Sequence, residues 1–167
     1  MLAMMKGHKY LVDNVVFSPN GRSLVFTSSD GSIRIWNIRH ASSKVLPVTP
    51  PVGYFYSVAF SPDGRYVAAG KSDTSLWIWY SRTHRLAAKW WPEDTSSVRC
   101  MVFTPDGKGL MSGGDDGRVM YWDVSLLGRR QGVSTGRVVN EGQGFPLVRT
   151  FLCHDVRCVL LLSHNVD

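Results

Sequence analysis

The sequence lacks most of what marks a secreted, membrane-bound or catalytic chain. Three cysteines among 167 residues is an odd count with no paired spacing, so no disulfide framework is expected. No apolar run approaches the roughly 18 residues that would span a bilayer. The opening MLAMMKGHKY shows no basic segment followed by an apolar one, so it does not read as a secretory leader. No N-x-S/T acceptor occurs. Together these absences predict a nuclear or cytoplasmic protein with no membrane partner. Also missing are the G-x-S-x-G elbow, the G-x-x-x-x-G-K phosphate cradle, G-x-G-x-x-G and H-E-x-x-H. No enzymatic activity and no cofactor are expected.

Charge and cysteines exclude two further classes. The formal net charge is +6, yet there is no long Lys/Arg run and no aromatic–basic signature. That pattern argues against direct nucleic-acid recognition. Cys153, His154, Cys158 and His164 invite a zinc site, but Cys153 and His154 are adjacent, and structural zinc knuckles space their ligands two to four apart. Buried thiols account for them better, so no metal is expected.

What the chain does have is a repeat. Phe17-Ser-Pro-Asn-Gly21, Phe60-Ser-Pro-Asp-Gly64 and Phe103-Thr-Pro-Asp-Gly107 recur at intervals of 43 residues. Trp36, Trp79 and Trp122 keep the same interval, and so do Asp30, Asp73 and Asp116, each six residues before its Trp. Three landmarks in one register establish the period. Within each unit, Val12 to Phe17, Phe55 to Phe60 and Val98 to Phe103 carry the β-branched and aromatic residues that suit a strand. Pro-Asn-Gly or Pro-Asp-Gly follows as turn chemistry: Pro fixes φ and Gly accepts positive φ. Second strands are predicted at Leu24 to Thr27, Val67 to Gly70 and Leu110 to Gly113. A turn at the repeated Asp leads to a third strand ending at the Trp. Fourth strands are predicted at Lys44 to Val48, Arg85 to Lys89 and Leu147 to Leu152, with Leu2 to Met5 as one more at the start.

Four short strands per period, with Gly7-His8, Ser28-Ser29-Asp30-Gly31, Ile35-Trp36-Asn37 and Trp122-Asp123 as landmarks, resemble WD repeats. The resemblance implies an all-β propeller arc of three full blades plus part of a fourth, too short to close, since propellers close with about 4–8 blades. The repeats run over about 7–43, 44–86 and 87–125, with a partial one at 147–160. A Gly/Arg-rich loop insertion occupies about 125–145, and 161–167 is an atypical tail. The resemblance also implies a hydrogen-bonded tetrad of His8, Ser28 (or Ser29), Asp30 and Trp36. Repeats two and three carry Pro50-Pro51 and Glu93-Asp94 where repeat one carries its His, so their tetrads lack it.

The same resemblance distributes the loops over two faces. One gathers Asp30, Asp73, Asp115, Asp116, Glu93 and Asp94 against Lys6, Lys9 and Lys71. The other gathers Arg22, Arg39, Arg65, Arg82, Arg85, Lys108, Arg129 and Arg130 against Asp63 and Asp106. Solvated turns explain such polarity, and so does steering of charged partners, with basic tails drawn to the acidic face. Trp77, Trp90 and Trp91 serve either as packing between blades or as an exposed partner patch. The expected function is a non-catalytic protein-interaction scaffold, completed by missing blades or by self-association. Glu93-Asp94 before a strand and the Gly-rich insertion are similar to fungal Tup-type, Groucho-like corepressors, which implies regulators and histone tails as partners. The alternative is a structural subunit of a larger assembly, in RNA processing or as a ubiquitin-ligase substrate receptor.

Overall fold

A computed structural model describes residues 6–49, 53–91 and 97–127, and the backbone of 147–152. Twelve strands run in order: β1 (Val12–Phe17), β2 (Ser23–Ser28), β3 (Ile33–Asn37), β4 (Ser42–Val45), β5 (Phe55–Phe60), β6 (Tyr66–Lys71), β7 (Leu76–Tyr80), β8 (Leu86–Trp90), β9 (Val98–Phe103), β10 (Gly109–Gly114), β11 (Arg118–Asp123) and β12 (Leu147–Leu152). They pair antiparallel as three four-stranded meanders, β1-β2-β3-β4, β5-β6-β7-β8 and β9-β10-β11-β12. The protein is therefore all-β, with three propeller blades, and the arc does not close among the described residues.

Turn chemistry sets the strand boundaries. Gly21, Gly64 and Gly107 sit at φ +66°, +69° and +68°, the left-handed position that ends each first hairpin. The hydroxyls of Ser18, Ser61 and Thr104 accept the backbone N–H of Ser23, Tyr66 and Gly109 across that turn, at 2.9, 2.9 and 2.8 Å. The fourth strand of blade one is shorter than expected, Ser42–Val45. Pro47, which has no N–H to give, stops it once Leu46 N–H has reached Ile33 O at 2.9 Å. Leu147–Leu152 pairs with β11 and completes blade three as its outer strand. The expected strand at Leu2 to Met5, the 128–145 part of the insertion, the partial repeat beyond Leu152 and the tail lie outside the described residues.

The core lies in the two seams between blades. Val25, Ile33, Ile35 and Leu46 of blade one meet Phe55, Val58, Val67, Ala69, Trp77 and Trp79 of blade two. Ala59, Ala68, Leu76, Ile78 and Ala88 on the other side of blade two meet Val98, Met101, Phe103, Leu110, Met120 and Trp122 of blade three. Alternation along each strand supplies both faces of the middle blade. Gly70 makes the second seam possible: a methyl there would come within 2.4 Å of Val98 Cγ1.

Candidate interaction face

The site starts from the repeated aspartate. Asp30, Asp73 and Asp116 each accept the backbone N–H two residues ahead, from Ser32 (2.8 Å), Ser75 (3.1 Å) and Arg118 (3.0 Å). This closes the turn between the second and third strands of every blade. The three turns then diverge in what they build.

In blade one, Asp30 Oδ2 lies 3.2 Å from His8 Nδ1 and accepts Lys9 N–H at 2.9 Å, while Ser32 Oγ donates to Oδ1 at 2.5 Å. Ser32 Oγ also lies 3.1 Å from His8 Nδ1. The expected Ser28 plays a different part: its hydroxyl accepts the backbone N–H of Asp30 at 3.1 Å. Ser29 turns outward to Asp13 at 2.9 and 3.0 Å. Among the described residues, no hydrogen bond joins the Trp36 indole to this group, because Phe26 occupies the position where blade three offers a serine. Burial alone would raise the Asp30 pKa. Hydrogen bonds from the Ser32 hydroxyl, the Lys9 and Ser32 N–H groups and His8 outweigh it, and hold the carboxyl well below its ordinary range.

Blade two replaces the missing histidine from within. Lys71, only 1% exposed, brings its Nζ 2.9 Å from Asp73 Oδ2. The ammonium lies 5.8 Å from the Phe55 ring centre and 5.7 Å from that of Trp77. Ser75 donates to Asp73 Oδ1 and accepts from Trp77 Nε1 at 2.8 Å. Here too burial opposes, while bonds from Ser75 and Lys71 lower the Asp73 pKa. Trp79 instead donates across the seam to Pro47 O at 3.0 Å. Blade three separates the parts again: Trp122 Nε1 donates to Ser112 Oγ at 2.9 Å, while Asp116 bonds the N–H of Arg118.

Pairing changes the character of the acidic face. Asp30 meets His8, Asp73 meets Lys71, and Asp115 takes Arg99 Nε at 2.7 Å; Asp116 Oδ2 lies 3.9 Å from Arg118 Nε. Each of the four expected binding aspartates thus has a cationic or ionisable neighbour in the same chain. Glu93 and Asp94 lie outside the described residues. The tryptophans divide similarly. Trp77 is 2% exposed and stacks on Trp79 at 5.7 Å, in the first seam. Trp90 stacks on Trp122 at 6.3 Å, in the second. Trp91 is 48% exposed, and Lys89 Nζ sits between it and Trp77, 3.8 and 3.9 Å from the two ring centres.

Sequence reasoning passed over a further row of residues. The pairing of first and second strands slips once in every blade, between Val12 and Asn14, between Phe55 and Ser57, and opposite Gly113/Gly114. The extra residues are Asp13, Tyr56 and Arg99, at the 43-residue interval. A bulge leaves its extra residue out of the ladder and re-aims its side chain. Asp13 takes the Ser29 hydroxyl, and Arg99 lies 4.0 Å over the Tyr56 ring while gripping Asp115. An acid, an aromatic and a base thus occupy one register position in successive blades, the last two in contact. The period was the signal that would have found them, since all three share one register and differ in chemistry.

The opposite face holds a cleft of about 360 Å³ between blades two and three, lined by Arg65, Tyr66, Tyr80, Arg82, Thr83 and Leu127. Tyr66 donates to Leu127 O at 3.0 Å, which ties the blades there. Among the described residues no cluster of His, Cys, Asp or Glu is placed to hold a metal. Cys153, His154, Cys158 and His164 lie outside them. No helix of the described residues is long and apolar enough to cross a membrane.

Comparison with known proteins assigns the class. The WD40 family (WD domain, G-beta repeat) matches residues 1–37, 49–80 and 88–123, and the chain belongs to that family. One curated relative is ribosome assembly protein 4 of Saccharomyces cerevisiae, 50% identical over 38 residues, which is 23% of this chain and 7% of that protein. Among solved structures, the WD40 repeats of RRP9 align with a TM-score of 0.68 at 23% identity, covering 74% of this chain and 38% of that one. U3-55K aligns at 0.68 and 21%, covering 74% and 39%. The chain thus spans less than two-fifths of those solved chains and a small part of the yeast relative. These structures share the propeller fold. The expected likeness to Tup-type corepressors does not appear among these relatives.

Proposed function

We propose that this chain is a non-catalytic WD40 scaffold, working in the nucleus as a structural subunit of an assembly pathway of the kind its yeast relative's name describes. The observation that carries the scaffold reading is the bulge row, Asp13, Tyr56 and Arg99, in which three unlike side chains are presented at one end of a stiff arc. Side chains carried on rigid strands are held in a fixed geometry that a protein partner can recognise. The assembly reading rests on the 50% identity with ribosome assembly protein 4. It is preferred to the corepressor reading because the matched yeast relative is named for ribosome assembly, while Asp73 and Asp115 are already ion-paired within the chain to Lys71 and Arg99.

The test is proximity labelling with quantitative mass spectrometry, comparing the native chain with a Tyr56→Ala/Arg99→Ala variant. Enrichment of pre-ribosomal assembly factors that falls at least fivefold in the variant supports the reading. Enrichment of DNA-bound repressors and histones overturns it in favour of a corepressor role.

A further inference from the structure

We propose that the cleft between blades two and three binds a short acidic segment of a partner protein, an apolar side chain of that segment lying against Tyr66, Tyr80 and Leu127 and its carboxylates meeting Arg65 and Arg82. The cleft lies at the opposite ends of the strands from Tyr56 and Arg99, so this site and the bulge row stand or fall separately.

Register shows that the cleft is particular to this seam. The position of Tyr80 is Asn37 in blade one and Asp123 in blade three. Asn37 Oδ1 accepts the N–H of Arg39 at 3.0 Å and of His40 at 3.2 Å, and Asp123 Oδ1 accepts that of Ser125 at 2.9 Å. Each side chain caps the turn after its third strand. Tyr80 has no short acceptor to offer, so blade two gives up that cap and gains a ring. Tyr66 likewise stands where the other blades carry Ser23 and Gly109. The two tyrosines are cross-strand partners with ring centres 5.4 Å apart, and both are only half-buried. At the first seam the same positions hold Ser23 and Asn37, too short to form such a wall.

The backbone under the cleft is pinned. Ser81 Oγ donates to Gly64 O at 2.5 Å and Ser81 N–H to Arg65 O at 2.8 Å, which joins the turn carrying Arg65 to the turn carrying Arg82. Tyr66 Oη donates to Leu127 O and fixes the blade-three side. Both guanidinium groups are exposed and little used. Asp63 Oδ2 stands 3.6 Å from Arg65 Nε, while Asp63 Oδ1 accepts the Ser61 hydroxyl at 2.6 Å and the Arg65 N–H at 2.9 Å. Arg82 has no ion pair among the described residues. Two positive charges beside an apolar wall attract a ligand that is acidic around an apolar centre.

Size narrows the ligand further. Ligand clefts begin at about 300 Å³. This one, at about 360 Å³, takes a single side chain rather than a folded surface. Nucleic-acid strands stack successive bases on separate ring faces along a basic groove. Here the two rings lean on each other at 41° and make one wall, which suits one apolar group flanked by acids.

Fluorescence anisotropy of the 167-residue chain with a labelled Glu-Glu-Leu-Glu-Glu peptide tests this. The expected result is saturable binding that weakens as salt is raised. The Arg65→Gln/Arg82→Gln variant should lose at least tenfold in affinity while keeping the native circular dichroism. Glycine in place of the central leucine should cost at least threefold. Tyr80→Asn, which writes the cap of blade one into blade two, should weaken binding at least fivefold without lowering Tm. Absence of saturable binding overturns the proposal, and so does unchanged affinity in the double arginine variant. A Tyr80→Asn variant that binds like the native chain but melts earlier overturns it too, because Tyr80 then serves only packing. Displacement of the peptide by an oligouridylate at lower concentration than by unlabelled peptide would assign the cleft to nucleic acid instead.

Discussion

The ammonium of Lys71 reaches the carboxylate of Asp73 at 2.9 Å inside the second blade, where the same turn of the first blade is met by His8. Two different side chains, one arriving from before the first strand and one from the end of the second, steady the same turn. The absence of histidine in the second repeat therefore does not leave that turn unsupported.

Replacing Lys71 with Met keeps the buried stem and removes the charge. Breaking a wholly buried pair costs about 3–5 kcal/mol. Asp73 is 44% exposed, and water can take up its freed oxygen. A loss of about 1–3 kcal/mol is expected in urea denaturation. A change below about 0.5 kcal/mol, the size of an ordinary surface substitution, would mean that Lys71 does not support the turn.

Acid should act through Asp30. A carboxyl whose pKa is lowered on folding stabilises the chain above its unfolded value of about 4, and that contribution disappears as pH falls through the folded value. The stability gap between the native chain and Asp30→Asn should therefore be constant from pH 7 to about 5 and shrink below about 4. Denaturant titrations at pH 7, 4 and 3 measure it. A gap that stays flat down to pH 3 would show that the folded chain does not depress this carboxyl.

Gly70→Ala tests the second seam. The added methyl would meet Val98 Cγ1 at 2.4 Å and Ser57 Oγ at 2.9 Å, and neither lies at the end of a long flexible side chain. Overpacking of this kind costs about 1–3 kcal/mol. At Gly21 there is nothing within 4 Å, so alanine there bears only the strain of φ +66°, about 1 kcal/mol. Thermal unfolding of the two variants side by side should rank Gly70→Ala as the more damaging, and the reverse order would contradict this packing.

Ser112→Ala should cost about 1–3 kcal/mol, since it strands the buried indole N–H of Trp122. Ala69→Ser, which writes the same serine into blade two, should bring no gain, because Trp79 already donates to Pro47 O. A stabilised Ala69→Ser variant would indicate that the Trp79 bond is easily exchanged.

The strands were legible because a 43-residue period repeats their landmarks. Val12–Phe17, Phe55–Phe60, Val98–Phe103 and Leu147–Leu152 lie where hydrophobic alternation and Pro-Asp-Gly turns place them. The polar cluster was only half legible. His8 and Asp30 are tied by the repeat, but the hydroxyl between them belongs to Ser32, because the tight turn brings residue 32 back onto its own aspartate. Lys71 was counted as one surface charge among others, and nothing periodic marks it, since its counterparts are Ser28 and Gly114. Contacts across a seam, such as the Trp79 indole donating to Pro47 O, depend on how neighbouring sheets lie together, which a single repeat does not encode.

A bulged residue makes no ladder bonds, so Asp13, Tyr56 and Arg99 can be exchanged for other side chains with little cost to the sheets that carry them. The architecture thus sets aside one mutable letter per blade in an otherwise fixed text. A lineage of such chains can acquire a new partner by rewriting three adjacent letters, while the turns, seams and tryptophans around them stay under separate selection for folding.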